Sequence, residues 1–287
     1  MEDWLTQKFE KNRPHLRAVA YRMLGSLSEA DDAVQEAWLR LNRSETRVIG
    51  NLDGWLTTVV ARVCLDELRS RDARREEPLD AHVPDLIVSR EDGIDPEQEA
   101  LIADSVGIAM LIVLEMLAPP ERLAFVLHDI FAIPFAEIAS VVGCSTVAAR
   151  QFASRARRKV QGAANFPDVD LKQQRKVVDA FLAAVRGGDL EALVAVFDPD
   201  IVIRTDQGTL RELRGARSVA EKAMLFSQLT QSTQPVRVNG IAGLLSWRPD
   251  GQAFAIMSFT VRGKRIVEID VVRDPNRLRR LGLEALS

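Results

Sequence analysis

The chain has 287 residues, a formal net charge of −3, 47% hydrophobic and 28% charged residues, two cysteines and three histidines. That length accommodates two or three compact units, and the balance is that of an ordinary globular protein. The opening MEDWLTQKFE has no basic flank ahead of an apolar run, so no secretory leader is expected. The stretch IAMLIVLEML is broken by Glu115 and is too short to span a bilayer. Cys64 and Cys144 lie far apart and the histidines are scattered, which argues against a disulfide framework and a metal centre. The expectation is a cytoplasmic protein with no membrane association, no metal and no cofactor.

In chain order, helical spacing predicts a helix from Trp4 to Leu24, with GSLSEADD as a break and cap. A second helix is expected from Ala30 to Leu41, and a third from Asp53 to Ala73 on which Trp55, Leu56, Val59, Val63 and Leu68 recur near helical spacing. Residues 76–100 are acidic, proline-bearing and weakly periodic, which reads as a linker; its apolar patch, Leu86 to Val88, is predicted to pack on something. Helical pattern returns over 100–163, restarting at Ala118-Pro119-Pro120.

Charge is unevenly spread. Residues 81–110 carry seven acidic residues against Arg90 alone, and residues 145–165 carry five basic residues and no acidic one. Within PFAEIASVVGCSTVAARQFASRARRKV, a helix from Phe135 to Val142 is followed by a turn at Gly143-Cys144 and a longer helix from Thr146, with Ser145 as its N-cap. Ala149, Phe152, Ala153, Ala156 and Val160 form its inward stripe. Arg150, Gln151, Ser154, Arg155, Arg157 and Arg158 form its outer arc. This is a helix-turn-helix layout, whose second helix enters the major groove of duplex DNA. The bland alternative, a solvated basic face, is disfavoured because a solvated helix interleaves charges of both signs.

From Leu171 the pattern changes. A helix, a glycine corner and a second helix precede four strand-like stretches, DIVIRT, VNGIAGLLSW, QAFAIMSFTV and RIVEIDVV, expected to form an antiparallel meander. Glu268 and Asp270 stand at i,i+2 on the last strand and point to one face.

Three stretches, DDAVQEAWLRL, GWLTTVVARVCLDELRSRDARR and PERLAFVLHDIFAIPFAEIASVVGCS, resemble bacterial RNA polymerase sigma factors of the extracytoplasmic-function type, in the correct order over residues 1–160. The resemblance implies core RNA polymerase and promoter DNA as partners. It places Asp32, Gln35 and Glu36 at the contact with the polymerase clamp. It assigns residues 51–75 to the −10 element, with Arg69, Arg71, Arg74 and Arg75 as phosphate contacts and Trp55 as core. The helix from Thr146 to Val160 becomes the −35 reader, with Arg150, Gln151, Ser154 and Arg155 near base edges and Arg157, Arg158 and Lys159 on the backbone.

Residues 171–287 resemble a SnoaL-like domain of the nuclear transport factor 2-like superfamily, through AVRGGDLEALVAVFDPDI and DPNRLRRL; the whole looks like the SigJ-like subgroup. Where that subgroup has a DGGGK-like loop this chain has DQGTL, keeping Asp206 and Gly208, and the WLPEP-like linker is here EPLDAHVPDL. The implied fold class is multidomain, two all-α sigma units followed by an α+β cone. The units are bounded at 1–76, 77–105 (linker), 106–164 and 171–287.

Asp206, Trp247, Glu268 and Asp270 are the candidate pocket residues of the cone. Related polyketide cyclases use an Asp/His pair, and no histidine follows His128. A sensor or brake contacting the linker and the sigma units is therefore expected, rather than an enzyme. The alternative function is a helix-turn-helix regulator with a ligand-binding C-terminal domain.

Overall fold

The computed structural model describes residues 2–43, 51–74, 84–91, 108–163, 170–207, 210–227 and 232–286. Three long helices come first: α1 (Glu2–Leu24), α2 (Leu27–Arg43) and α3 (Leu52–Arg74). α2 is a turn longer at its start than the spacing predicts, because a distant residue caps it: the Leu27 amide donates to Asp85 Oδ2 at 2.8 Å. Gly25, at φ +75°, makes the corner between α1 and α2. A Cβ there would lie 2.7 Å from Glu115 Oε1, so only glycine fits.

After a short strand, β1 (Val88–Ser89), come α4 (Ile108–Glu115) and α5 (Pro119–Phe125), which runs into a wide π-type turn over Val126–Ile130. α6 (Phe135–Val142) ends on Gly143, left-handed at φ 77°, and α7 (Thr146–Ala163) follows with the Ala148 amide donating to Ser145 Oγ at 3.2 Å. The two helical units were expected to carry separate cores. Instead, Phe9, Leu16, Leu41 and Leu65 of the first and Leu114, Leu123, Ile138 and Val160 of the second belong to one continuous apolar core.

The C-terminal part begins with α8 (Leu171–Gly187) and α9 (Leu190–Val196), whose first turns are capped by Asp170 and Asp189. Next come β2 (Phe197–Asp206), β3 (Leu210–Arg214), α10 (Ala216–Ser227), β4 (Ser232–Val238), β5 (Ile241–Trp247), β6 (Ala253–Arg262), β7 (Arg265–Val272) and α11 (Pro275–Arg280). The sheet has the order β1-β4-β5-β6-β7-β2-β3.

It is not the four-stranded antiparallel meander read from the sequence. β2 and β7 pair in parallel, closing the sheet by joining its first long strand to its last. VNGIAGLLSW divides into two strands, because Asn239 and Gly240 both have positive φ (49° and 82°) and make a two-residue hairpin turn. Pro235 obscured β4; it sits on the part of that strand not paired with β1, where no ladder amide is needed.

β1 belongs to the linker and adds to the edge of the C-terminal sheet, so the apolar patch over 86–88 does pack. Leu86 joins a second small core with Val236, Val238, Leu245 and Leu278. Asn239 holds this strap from both sides: its amide donates to the Ile87 carbonyl at 2.8 Å and its Oδ1 accepts from the Ile87 amide at 2.7 Å. Asn239→Ala should therefore destabilise the protein by about 1–3 kcal/mol, from a lost buried acceptor and a strained left-handed alanine. Equilibrium urea unfolding measures it, and an unchanged midpoint would remove this anchor from the account.

Candidate nucleic-acid and polymerase interfaces

On α7 the inward stripe is as expected: Ala149, Ala153, Ala156 and Val160 are buried and Phe152 is half-buried. Arg150, Gln151, Ser154, Arg155, Arg158 and Lys159 are exposed and Arg157 is half-exposed. The structure corrects one premise of the sequence reading. The stripe lacks acidic partners on its own helix, yet it has them across the unit. Glu121 at the start of α5 accepts Lys159 Nζ at 2.7 Å and Arg155 Nε at 3.2 Å, and Asp129 of the π-type turn accepts Arg157 Nε at 2.7 Å. Among the described residues Arg150 and Arg158 make no ion pair; Arg150 lies over the Phe135 ring at 5.7 Å.

On α2, Asp32 and Gln35 are exposed and Glu36 is half-exposed, bound to Arg40 one turn on at 2.8 Å. These positions follow i, i+3, i+4 and form one patch. Leu39, 41% exposed, extends that patch at i+7. The sequence reading missed it because a lone leucine in an apolar pattern reads as core.

On α3, Trp55 packs on the core edge, as expected. Arg69 is exposed and weakly placed against Asp66 at 4.0 Å. Arg71 turns inward instead of toward solvent. It pairs with Glu29 of α2, reaches Glu67 at 3.8 Å, and donates to the Leu24 carbonyl at 3.4 Å, tying the end of α3 to the α1–α2 corner. The Arg74 side chain and Arg75 lie outside the described residues, as does Gly208.

The four pocket candidates of the C-terminal module do not gather at one pocket. Strand alternation puts Ile269 and Val271 on the side of α8, and Glu268 and Asp270 on the opposite face. There both carboxylates are buried around Arg204, which pairs with Glu268 and lies 3.6 Å from Asp270 Oδ1. Burial, then the neighbouring Glu268, pushes the Asp270 carboxyl up to about 7 against the pull of Arg204. Asp206 accepts Arg277 at 2.6 Å, and that arginine also grips the strap by donating to the Pro84 carbonyl at 2.8 Å. Trp247 is buried in the small core beside the strap.

Sigma-70 region 2 matches residues 9–74, Sigma-70 region 4 matches 110–160, and a SnoaL-like domain matches 178–273. The ECF RNA polymerase sigma factor SigJ of Mycobacterium tuberculosis is 38% identical to this chain, over 94% of it and 92% of the relative. The chain belongs to the extracytoplasmic-function sigma factors. The relative named "Probable ECF RNA polymerase sigma factor SigI", also from M. tuberculosis, is 33% identical over 96% and 95% of the two chains. The crystal structure of M. tuberculosis SigJ superposes with a TM-score of 0.78 at 34% identity, covering 96% of this chain and 98% of that one.

A sigma factor binds core RNA polymerase and directs it to promoter DNA, which sets aside the free-standing operator regulator. Among the described residues no helix is long and apolar enough to cross a membrane. In this sigma factor, region 4 is folded against region 2. Arg122 of α5 is buried and donates to the Met23 carbonyl at 2.9 Å, Arg62 of α3 donates to the Ser140 carbonyl at 3.1 Å, and Arg22 lies over the Phe131 ring at 5.0 Å.

At the same junction, Glu115 faces Gly25. Burial pushes its carboxyl up to about 7, against the attraction of Arg122, Arg71 and Arg277 and with the repulsion of Glu29. A carboxyl with a raised pKa holds its proton more tightly in the packed arrangement than after release. Packing of the two regions is thus most favoured below the ordinary carboxyl value near 4.5 and weakens as pH rises toward about 7, above which both arrangements are ionised. Distance measurements between labels on α2 and α7 should show separation increasing from pH 5 to pH 7, and Glu115→Gln should flatten that response. A wild-type response already flat would count against it.

Proposed function

We propose that this sigma factor works as a two-surface promoter adaptor whose C-terminal module and linker strap hold it closed. In this reading the units run over 1–76, 77–105, 106–164 and 171–287. Asp32, Gln35 and Glu36, with Leu39 beside them, meet the polymerase clamp. Arg150, Gln151, Ser154 and Arg155 of α7 approach base edges in the −35 element. Arg157, Arg158 and Lys159 take phosphates, and so do Arg69, Arg74 and Arg75 next to the −10 element. Arg71 is left out, because its guanidinium braces the fold.

The charge pairs on α7 support this use. Arg155 and Lys159 keep 47% and 52% side-chain exposure while touching Glu121. Their cationic ends are open to a DNA phosphate, while the Glu121 side chain beneath them keeps only 9% exposure, so exchange of partner also leaves a buried carboxylate to be resolvated.

The single observation that carries the braking role is the shared core of regions 2 and 4, strapped by residues 84–91 to the C-terminal sheet. Elements some 25 base pairs apart are separated by roughly 85 Å at about 3.4 Å per pair. The longest helices here, of 23 residues, span only about 35 Å at 1.5 Å per residue. The two regions must part for both to engage one promoter, and polymerase supplies the surface on which they do so. The module acts on that equilibrium rather than by catalysis, and the whole operates in the cytoplasm. Its buried Glu268–Asp270 pair, locked by Arg204, supports a structural role for those carboxylates.

In vitro transcription with core polymerase tests both parts. Arg155→Glu with Arg158→Glu should lower promoter-specific transcript at least tenfold and flatten its salt dependence. Unchanged output would remove α7 as the groove reader. Arg277→Ala, which frees the Pro84 end of the strap, should change transcript yield at fixed protein concentration. An identical yield would mean the strap does not govern opening.

A further inference from the structure

The C-terminal module contains a partly open cavity of about 70 Å³ between the α8–α10 side and the sheet. Phe181, Leu182, Ile203, Leu244, Met257 and Val271 supply much of its wall. Hydroxyls enter at Thr205, Thr233 and Ser246, the last two bonded to each other at 2.9 Å. Among the described residues none of the lining side chains is acidic.

The inward positions of β7 are Ile269 and Val271, and the alternation continues one residue pair further to Arg273. A cation at an inward position of a strand whose other inward residues are apolar departs from the pattern that packing alone would set. Arg273 is half-exposed at the rim, with its guanidinium over the face of Phe254 at 4.3 Å. Exposed Arg248 lies over the same ring at 5.3 Å. Two guanidinium groups thus share one aromatic ring that itself lines the cavity. Both burial and the charge of Arg248 push the Arg273 pKa down. An anion seated at the rim would relieve both effects.

We propose that this cavity is a binding site for a small monocarboxylate with a compact apolar body, its carboxylate on Arg273 and its tail among Phe181, Leu244 and Val271. That volume suits an apolar body of roughly five or six heavy atoms, at about 10–15 Å³ for each water-sized group. A branched acyl or single-ring carboxylate fits that size. Arginine provides the planar, two-pronged donor that a carboxylate matches. This goes beyond the promoter-adaptor reading and stands or falls without it, because binding is read on the protein alone.

The test is calorimetric titration of the full-length protein with 4-methylpentanoate and benzoate, set against their neutral amides and against inorganic phosphate. Both carboxylates should bind with dissociation constants below about 1 mM, and the amides at least tenfold more weakly. Arg273→Gln should weaken carboxylate binding at least tenfold and erase the preference over the amide, while Arg273→Lys keeps part of it. Absence of carboxylate binding up to about 10 mM, equal affinity for the amides, or equal affinity for phosphate would each overturn the assignment. Should Arg273→Gln fail to fold by circular dichroism, Ala223→Leu, which fills the cavity from α10, decides the matter: it should abolish binding, and retained affinity would overturn the site.

Discussion

Eight residues of linker, 84–91, tie region 2 to the C-terminal module. On one side, the Asp85 amide donates to the Gly25 carbonyl at 2.8 Å, its side chain caps α2, and its carbonyl accepts the buried Tyr21 hydroxyl. On the other, Ile87 is held by the backbone amide and the side-chain Oδ1 of Asn239, Val88 and Ser89 pair with β4, and Glu91 pairs with Arg175 of α8. Buried backbone groups must find partners, and this strap finds its own on two units at once. Strand addition to a sheet edge gives strong main-chain pairing with little side-chain demand, and it also protects the edge of β4. The consequence is mechanical. The helix that carries Asp32, Gln35 and Glu36 starts on a cap supplied by the same segment that completes the C-terminal sheet.

The charged clusters divide by how much solvent they see, and the division follows function. Around Arg204, Glu268 and Asp270 the groups are buried, and removal of one partner would strand the others in a low-dielectric interior. Arg122, buried between regions 2 and 4, likewise has its guanidinium pulled down from its ordinary pKa, to about 10, mainly by burial. The α7 cations are open to solvent at their outer ends, although Glu121 beneath two of them is buried. One chain thus has buried charges where units are joined and solvent-facing cations along α7.

Much of this was legible beforehand, and the reason differs by element. The helices of regions 2 and 4 have strong 3.6-residue periodicity and local end signals such as Ser145 and Gly143, so α3 and α6 fell within a residue of their expected bounds and α7 began where expected, running three residues further. The sheet was read less well. β4 hides behind Pro235, β1 has only two residues, and the turn at Asn239-Gly240 lies inside an apolar run that looks continuous. The inward turn of Arg71 could not be read, since its partner Glu29 is 42 positions away; nor could the pairing of the α7 stripe with Glu121 and Asp129.

The sequence by itself determined the helical units and the basic arc of a helix-turn-helix, because helical periodicity, caps and a run of basic residues are local properties. The resemblance of three stretches to sigma factors supplied the family. The sequence also determined that the linker would pack, from three adjacent apolar residues in an acidic stretch. Only the tertiary structure decided on what: the free edge of β4, a surface that exists after β4 and β5 have paired. It decided likewise that regions 2 and 4 share one core, that Glu268 and Asp270 face away from the cavity, and that Arg273 faces it. Each of these depends on which strand or helix lies opposite, a long-range choice fixed by total burial and absent from any single stretch of chain.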